Sequence, residues 1–293
     1  MVFGSDDVQR WTLGDWDRGL LVGPDLLLFV GASAAAAVRG QRAVAVVAAV
    51  WTSAVAAALA IYGLTERAAG WGVLLMALAA VGTLAATATL WFGRLPSQWF
   101  FVGPFAFRVA AERPGARNLR RSLTQLVVFW TAFFVLVPLI VQAAERRLRL
   151  DWPVLHSGGW RWSGAVVFAI ASALGLWSCV TMALRGEGTP LPAETARRLV
   201  VAGPYRRLRN PMAVAGGLQT AGVGLVTGCW MVVALAAAGA LAWDQLIRPH
   251  EEADLASRFG AEYERYRSDV RCWIPSKAWR LPESPPEQDR RSA

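Results

Sequence analysis

The chain has 293 residues, 55% of them hydrophobic, and a formal charge of +9. Its apolar residues fall in stretches of roughly 20 separated by short arginine-bearing loops, the length a bilayer core requires, which excludes a water-soluble globule and leaves no room for a separate soluble domain. The basic residues form no patch interleaved with stacking aromatics, so nucleic acid is not the expected partner, and Cys179, Cys229, Cys272, His156 and His250 show no metal-ligand or disulfide spacing.

The first apolar stretch follows Asp6, Asp7, Asp15 and Asp17 and not a basic segment, so no removable signal peptide is expected. Hydropathy predicts helices over Leu20–Val38, Ala43–Leu64, Gly70–Gly93, Leu123–Ala143, Ser163–Leu184, Met212–Val226 and Cys229–Ile247. The first carries Pro24 and Asp25, so a broken or interfacial helix is the alternative there. The last two are short legs of a hairpin expected to turn at Thr227 and Gly228, with no charge at the turn. The fold expected is all-α and polytopic, with about seven transmembrane helices and a C-terminal amphipathic cytoplasmic helix. Its parts are a three-helix region at 1–122, a core at 123–276 and a disordered tail at 277–293.

Counting Lys and Arg orients the chain. A cytoplasmic C-terminus puts 23 of them in inner loops and seven outside, so the positive-inside rule predicts an external N-terminus. Trp91, Trp99, Trp160 and Trp162 fall near helix ends, where indole prefers the interface. Within the spans only Asp25 and Asp244 stand out as ionisable, which speaks against an ion relay or transporter.

Backbone-breaking residues concentrate between the fifth and sixth helices. Arg185-Gly-Glu-Gly-Thr-Pro190 is followed by Gly203-Pro-Tyr205 and Arg206-Arg-Leu-Arg-Asn-Pro-Met212. Gly186 and Gly188 permit close approach of a ligand and positive φ, while Pro204 and Pro211 stop helices and pin the chain at the membrane; a plain basic loop would have the same look. Past Pro249, Leu255, Phe259, Tyr263, Tyr266 and Val270 recur at helical spacing on one face, with Arg258, Glu262, Arg265 and Asp269 on the other. Glu251 and Glu252 border the apolar face. They either serve the helix macrodipole or hold a polar, partly cationic ligand at the membrane surface.

The ordered set Gly203-Pro-Tyr205, Arg209-x-Pro-Met212, Glu251-Glu252, Leu255, Phe259-Gly260, Tyr263, Tyr266, Val270 and Ile274-Pro275 resembles the isoprenylcysteine carboxyl methyltransferase and phospholipid methyltransferase superfamily. The resemblance runs from about Arg185 to Pro275. It implies an enzyme of the bacterial cytoplasmic membrane that uses S-adenosyl-L-methionine to methylate a hydrophobic or lipid-linked acceptor, with membrane lipids as its surroundings and no metal. Gly186 and Gly188 resemble the family's GxG element; Gly203, Pro204, Tyr205, Arg209 and Pro211 carry over to the cofactor loop, and Glu251 and Glu252 to the cofactor's ribose or ammonium group. Arg209, Asn210 and Arg248 are the candidate catalytic residues, with Arg209 or Arg248 pairing an acceptor carboxylate. Three departures stand out: Asn210 replaces the usual histidine, Ala213 a tyrosine and Ala215 a glycine. Asparagine is no base near neutral pH, which favours an acceptor already anionic. The alternatives are an NADPH-dependent sterol or enone reductase using Arg206, Arg207 and Arg209, against which the paired glutamates stand, and a non-catalytic membrane protein.

Overall fold

The computed structural model describes residues 5–100, 106, 108–112, 114–189 and 194–279. Among them the chain is helical and carries no strand; Val109 and Thr195 share one isolated parallel bridge. Short α1 (Asp6–Thr12) precedes α2 (Arg18–Pro24), a π-helical stretch Asp25–Gly31 and α3 (Ala32–Arg39). Then come α4 (Arg42–Glu66), α5 (Gly70–Phe92), α6 (Gly115–Thr131), a π turn Ala132–Leu136 and α7 (Val137–Arg147). The chain continues through α8 (Gly158–Arg185), α9 (Pro211–Thr227), α10 (Trp230–Ala242), a π turn Trp243–Ile247 and α11 (Arg248–Asp269).

Six stretches among the described residues are long and apolar enough to cross a bilayer, where the hydropathy pattern predicted about seven. The difference is α9, whose 17 residues rise about 26 Å, just short of a hydrocarbon core. The helix expected from Leu123 begins at Gly115, because its first two turns are polar and carry no hydropathy signal. Each π stretch adjoins a proline: Pro24 precedes the first, and Pro138 and Pro249 follow the others. In the two stretches that a proline follows, the ring displaces the carbonyl four residues back, and a widened turn relieves that clash without ending the helix. Leu78, Ile61, Ile170 and Leu241 are each about two-thirds exposed, the outward apolar surface that lipid requires.

The chain divides into two compact units. The first comprises Met1–Phe100, Ala132–Ala165 and Val223–Leu235. Its buried cluster is Leu59, Ala69, Val73, Leu148 and Leu150, with Trp230 packed on it and stacked on Trp71. The hairpin turn falls where predicted, with Gly228 at φ +70° and its Cα hydrogens facing the His156 ring. Although no acidic or basic residue lies in that turn, a carboxyl reaches it: Glu145 Oε2 accepts from the Met231 amide at 2.8 Å and the Cys229 thiol at 3.0 Å. Buried Glu145 thus satisfies a donor at the start of α10, a role the hydropathy reading did not anticipate because the predicted fourth helix stopped at Ala143. Asp25 accepts from Trp51 Nε1 at 2.7 Å.

The second unit comprises 101–131, 166–222 and 236–293. Tyr263, Tyr266, Val270 and Trp279 form its aromatic cluster, joined by Leu199, Val201, Leu255 and Phe259. The face predicted for α11 is therefore the one that packs. Two details differ. Gly260 takes φ +51°, ψ −130°, a kink that redirects the helix before Tyr263. Arg258, expected on the solvated face, instead pairs with Asp254 at 2.9 Å and donates to Thr195 Oγ1 at 3.1 Å and the Ala196 carbonyl. In the expected tail, Trp279 is buried; residues 280–293 lie outside the described residues.

Candidate functional site

All the site residues singled out from sequence lie in the second unit, around the loop that joins α8 to α9. At the end of α8, Gly186 O accepts from the Arg197 and Arg198 amides at 2.7 and 3.2 Å. A Cβ on Gly186 would sit 2.6 Å from Val200 Cγ2, and one on Gly188 2.5 Å from Ala196 Cα. The close approach these glycines permit is therefore made by the chain itself. The positive φ falls between them, at Glu187 (+54°), whose carboxylate pairs with Arg198 at 2.9 Å.

Gly203 opens a 3-10 turn, Gly203–Arg206, and is confined twice over: φ is +54°, and a Cβ would meet Thr181 Oγ1 at 2.8 Å. Pro204 occupies the first turn, where a missing N–H costs nothing. Tyr205 is buried beneath it. The loop is laced to the end of the described chain: Tyr266 Oη donates to Tyr205 O at 2.6 Å, and the Arg209, Ser276 and Trp279 amides bond Arg271 O, Arg207 O and Arg206 O at 3.0, 2.9 and 2.8 Å.

Asn210 does two things. Its Oδ1 accepts from the Ala213 amide at 3.0 Å, capping α9 ahead of the fully buried Pro211, and its Nδ2 donates to Glu251 Oε2 at 3.2 Å. The side chain that stands in place of histidine thus holds one of the two paired acids. The apolar run of the last span ends at Ile247, and charged α11 follows it outside the bilayer. There, burial first and the neighbouring Glu252 carboxylate second push Glu251 up to about 7, with the Asn210 hydrogen bond opposing. Burial, then the charge of Glu251, also drives the Tyr205 phenol well above its ordinary range. Tyr205 Oη is buried and has no hydrogen-bond partner among the described residues.

Glu252 lives differently. Arg209, Arg248 and Arg267 approach it at 3.3, 3.5 and 3.5 Å, and Arg248 also pairs with Asp244 at 2.9 Å. Both candidate acceptor-pairing arginines are therefore engaged within the chain, although Arg209 Nε is buried without a hydrogen-bond partner among the described residues. Sequence reasoning missed Arg267 and Trp273, whose Nε1 donates to Asp244 at 2.7 Å. Arg267 lies four residues after Tyr263, beyond a kink that no helical wheel could have allowed for.

Helices of membrane-spanning length, joined by a pinned loop that meets a surface helix, define a polytopic integral membrane protein with a polar site beside its last span. Residues 160–262 match the family model described as phospholipid methyltransferase, a family of the superfamily to which the motifs pointed. The match takes in α8, the whole loop, both hairpin helices and the paired glutamates, and it leaves α1–α7 outside. No curated protein and no solved structure matches the chain.

Proposed function

We propose that the protein is an S-adenosylmethionine-dependent methyltransferase that acts on a carboxylate of a hydrophobic or lipid-linked acceptor. The observation that carries this reading is a buried Tyr205 phenol with no hydrogen-bond partner among the described residues, within electrostatic reach of Glu251, a carboxyl that burial raises to about 7. That donor set fits a cofactor bearing an ammonium group and ribose hydroxyls, since a cation would relieve the cost of ionising Glu251 and a hydroxyl would engage Tyr205 Oη.

When bound, S-adenosylmethionine supplies a methyl group on a cationic sulfonium, ready for in-line displacement. The chain's part is to align the partners and exclude water. Glu251 holds the cofactor's positive end, and Asn210 fixes the direction of that carboxylate from the cap of α9. Gly203 and Pro204 set the turn that presents Tyr205; Pro211 anchors its far end. Gly186 and Gly188 shape the first half of the loop by letting 196–200 pack on it. Arg209 has a free Nε donor for an acceptor carboxylate. Glu252 keeps Arg209 and Arg248 in place and is a positioning residue. No base is needed for an acceptor that is already an anion, which suits Asn210. On this reading the C-terminus and the loop face the cytoplasm and the N-terminus lies outside, in keeping with the arginine distribution. An NADPH-dependent reduction gains no support from the family match, and the acids beside Arg209 would repel a phosphate-rich ligand.

Calorimetry of S-adenosylhomocysteine binding to the detergent-purified protein tests the reading. Glu251→Ala should weaken binding at least tenfold, and membranes given radiolabelled S-adenosylmethionine should pass label into lipid or prenylated acceptors. Parent-like affinity in Glu251→Ala would overturn the assignment of the acid.

A further inference from the structure

The first turns of α6 carry a polar face that nothing in the family match covers. Asn118 and Ser122, one turn apart, are both 0% exposed. Asn118 Nδ2, Asn118 Oδ1, Ser122 Oγ and, one turn further on, Gln125 Oε1 are buried and have no hydrogen-bond partner among the described residues. Burying such groups without partners is unfavourable, and native proteins rarely leave several together on one face. Beside them stands the Glu194 carboxylate, which Arg121 neutralises at 2.7 Å; Gln125 Nε2 and Thr189 Oγ1 reach the same oxygen at 3.5 and 3.4 Å.

The chemistry of this face selects its ligand. An anion would call for donors only and a cation for acceptors only. Here one amide donor, two amide acceptors and a hydroxyl that does both stand next to a closed ion pair. Their complement is a group that donates and accepts at the same atom, which is a hydroxyl, or several on one headgroup. Position then separates a free solute from a membrane amphiphile. The polar face ends at Gln125, and the next residue along it, Phe129, is 44% exposed; Leu123, Val127 and Val128 are exposed on the same helix. A molecule with hydroxyls at the level of Asn118 would therefore run its tail along an apolar helix surface, at the depth where headgroups give way to hydrocarbon.

We propose that Asn118, Ser122 and Gln125 form a binding site for the hydroxyl-bearing, uncharged headgroup of a membrane amphiphile. The 194–196 segment connects this face with the helix bearing Glu251: Glu194 adjoins α6, Thr195 pairs with Arg108 O at 2.8 Å, and Arg258 of α11 holds Thr195 and Ala196. An uncharged headgroup offers no carboxylate to methylate, so this site is separate from the acceptor of the proposed transfer reaction and does not rest on it.

The test uses the full chain in lauryldimethylamine oxide, a detergent without hydroxyls, and titrates monooctanoylglycerol, methyl octanoate and free glycerol by calorimetry. The site requires saturable binding of monooctanoylglycerol, with methyl octanoate and glycerol each at least tenfold weaker. Asn118→Leu and Ser122→Ala should each lower monooctanoylglycerol affinity at least tenfold, while S-adenosylhomocysteine affinity stays as in the parent. In the absence of the amphiphile both variants should melt at or above the parent, because they remove groups that no partner satisfies. No saturable binding, as where ordered water alone fills the face, would overturn the proposal. So would equal binding of methyl octanoate, which would indicate a purely apolar surface, or of free glycerol, which would make the site one for a soluble polyol. Lower melting temperatures with unchanged affinity would show that the groups serve the fold. Saturable amphiphile binding without any S-adenosylhomocysteine binding by the parent would uphold this site and sink the transfer reading instead.

Discussion

Replacing Glu251 with glutamine isolates the cost of keeping an acid where this one sits. The carboxyl is raised from 4.5 to about 7, so its ionised form is disfavoured in the fold by about 3 kcal/mol at 1.36 kcal/mol per unit. The residue as a whole keeps some contact with solvent, and relaxation there trims the figure to about 2 kcal/mol. The sign follows from proton counting. Between about pH 4.5 and 7 the folded chain binds more protons at this group than the unfolded chain does, so stability falls as pH rises across that window and levels off above it. Glu251→Gln keeps an acceptor for Asn210 Nδ2 and removes the titration. Thermal unfolding of parent and variant in detergent at pH 5, 6, 7 and 8 should show near-equal stability at the acid end and a variant advantage that grows to about 2 kcal/mol at pH 8. A cationic ligand reverses the sense: the parent should bind S-adenosylhomocysteine more tightly as pH rises through 7, and the variant should be flat. A stability difference independent of pH would refute the reasoning, as would a parent more stable than the variant at pH 8.

The outcomes of substitutions at four other residues follow from the contacts described. Gly203→Ala combines a left-handed φ with a Cβ 2.8 Å from Thr181 Oγ1, and should cost about 1–3 kcal/mol in thermal unfolding and weaken cofactor binding with it. Tyr266→Phe removes the bond to Tyr205 O and should cost about 1–2 kcal/mol, with faster amide exchange at 205–209. Asn210→Ala strips the α9 cap and should cost about 1 kcal/mol; Asn210→Asp should in addition place a like charge beside Glu251 and shift the binding pH profile upward. Glu145→Ala leaves the Met231 amide without its acceptor and should lower the melting temperature at every pH without changing S-adenosylhomocysteine affinity.

The bilayer's length requirement made the spans readable: α4, α5 and α8 lie within a few residues of their hydropathy bounds. The start of α6 was not readable, because amphipathic turns below a span carry no net hydropathy, and it is there that Asn118 and Ser122 lie. In the loop, residue type gave the chemistry of Gly203 and Asn210 without their geometry. The glycine pair at 186 and 188 marked a tight place in the loop, and Ala196 and Val200 are the residues that pack there. Glu251 and Glu252 look equivalent in sequence. Their neighbours differ: one meets the Asn210 amide, the other three arginines, because consecutive helical residues point about 100° apart.

The lacing of Arg206, Arg207 and Arg209 to Trp279, Ser276 and Arg271 has a consequence for biosynthesis. Every span can enter the bilayer while the last stretch is still being translated, yet the pinned turn stays slack until that stretch arrives. On the proposed function, a chain that has been translated only as far as Val270 would be inserted without an ordered turn to hold the cofactor. For the same reason a fusion partner joined ahead of Trp279 should reach the membrane with the Gly203–Arg206 turn unpinned.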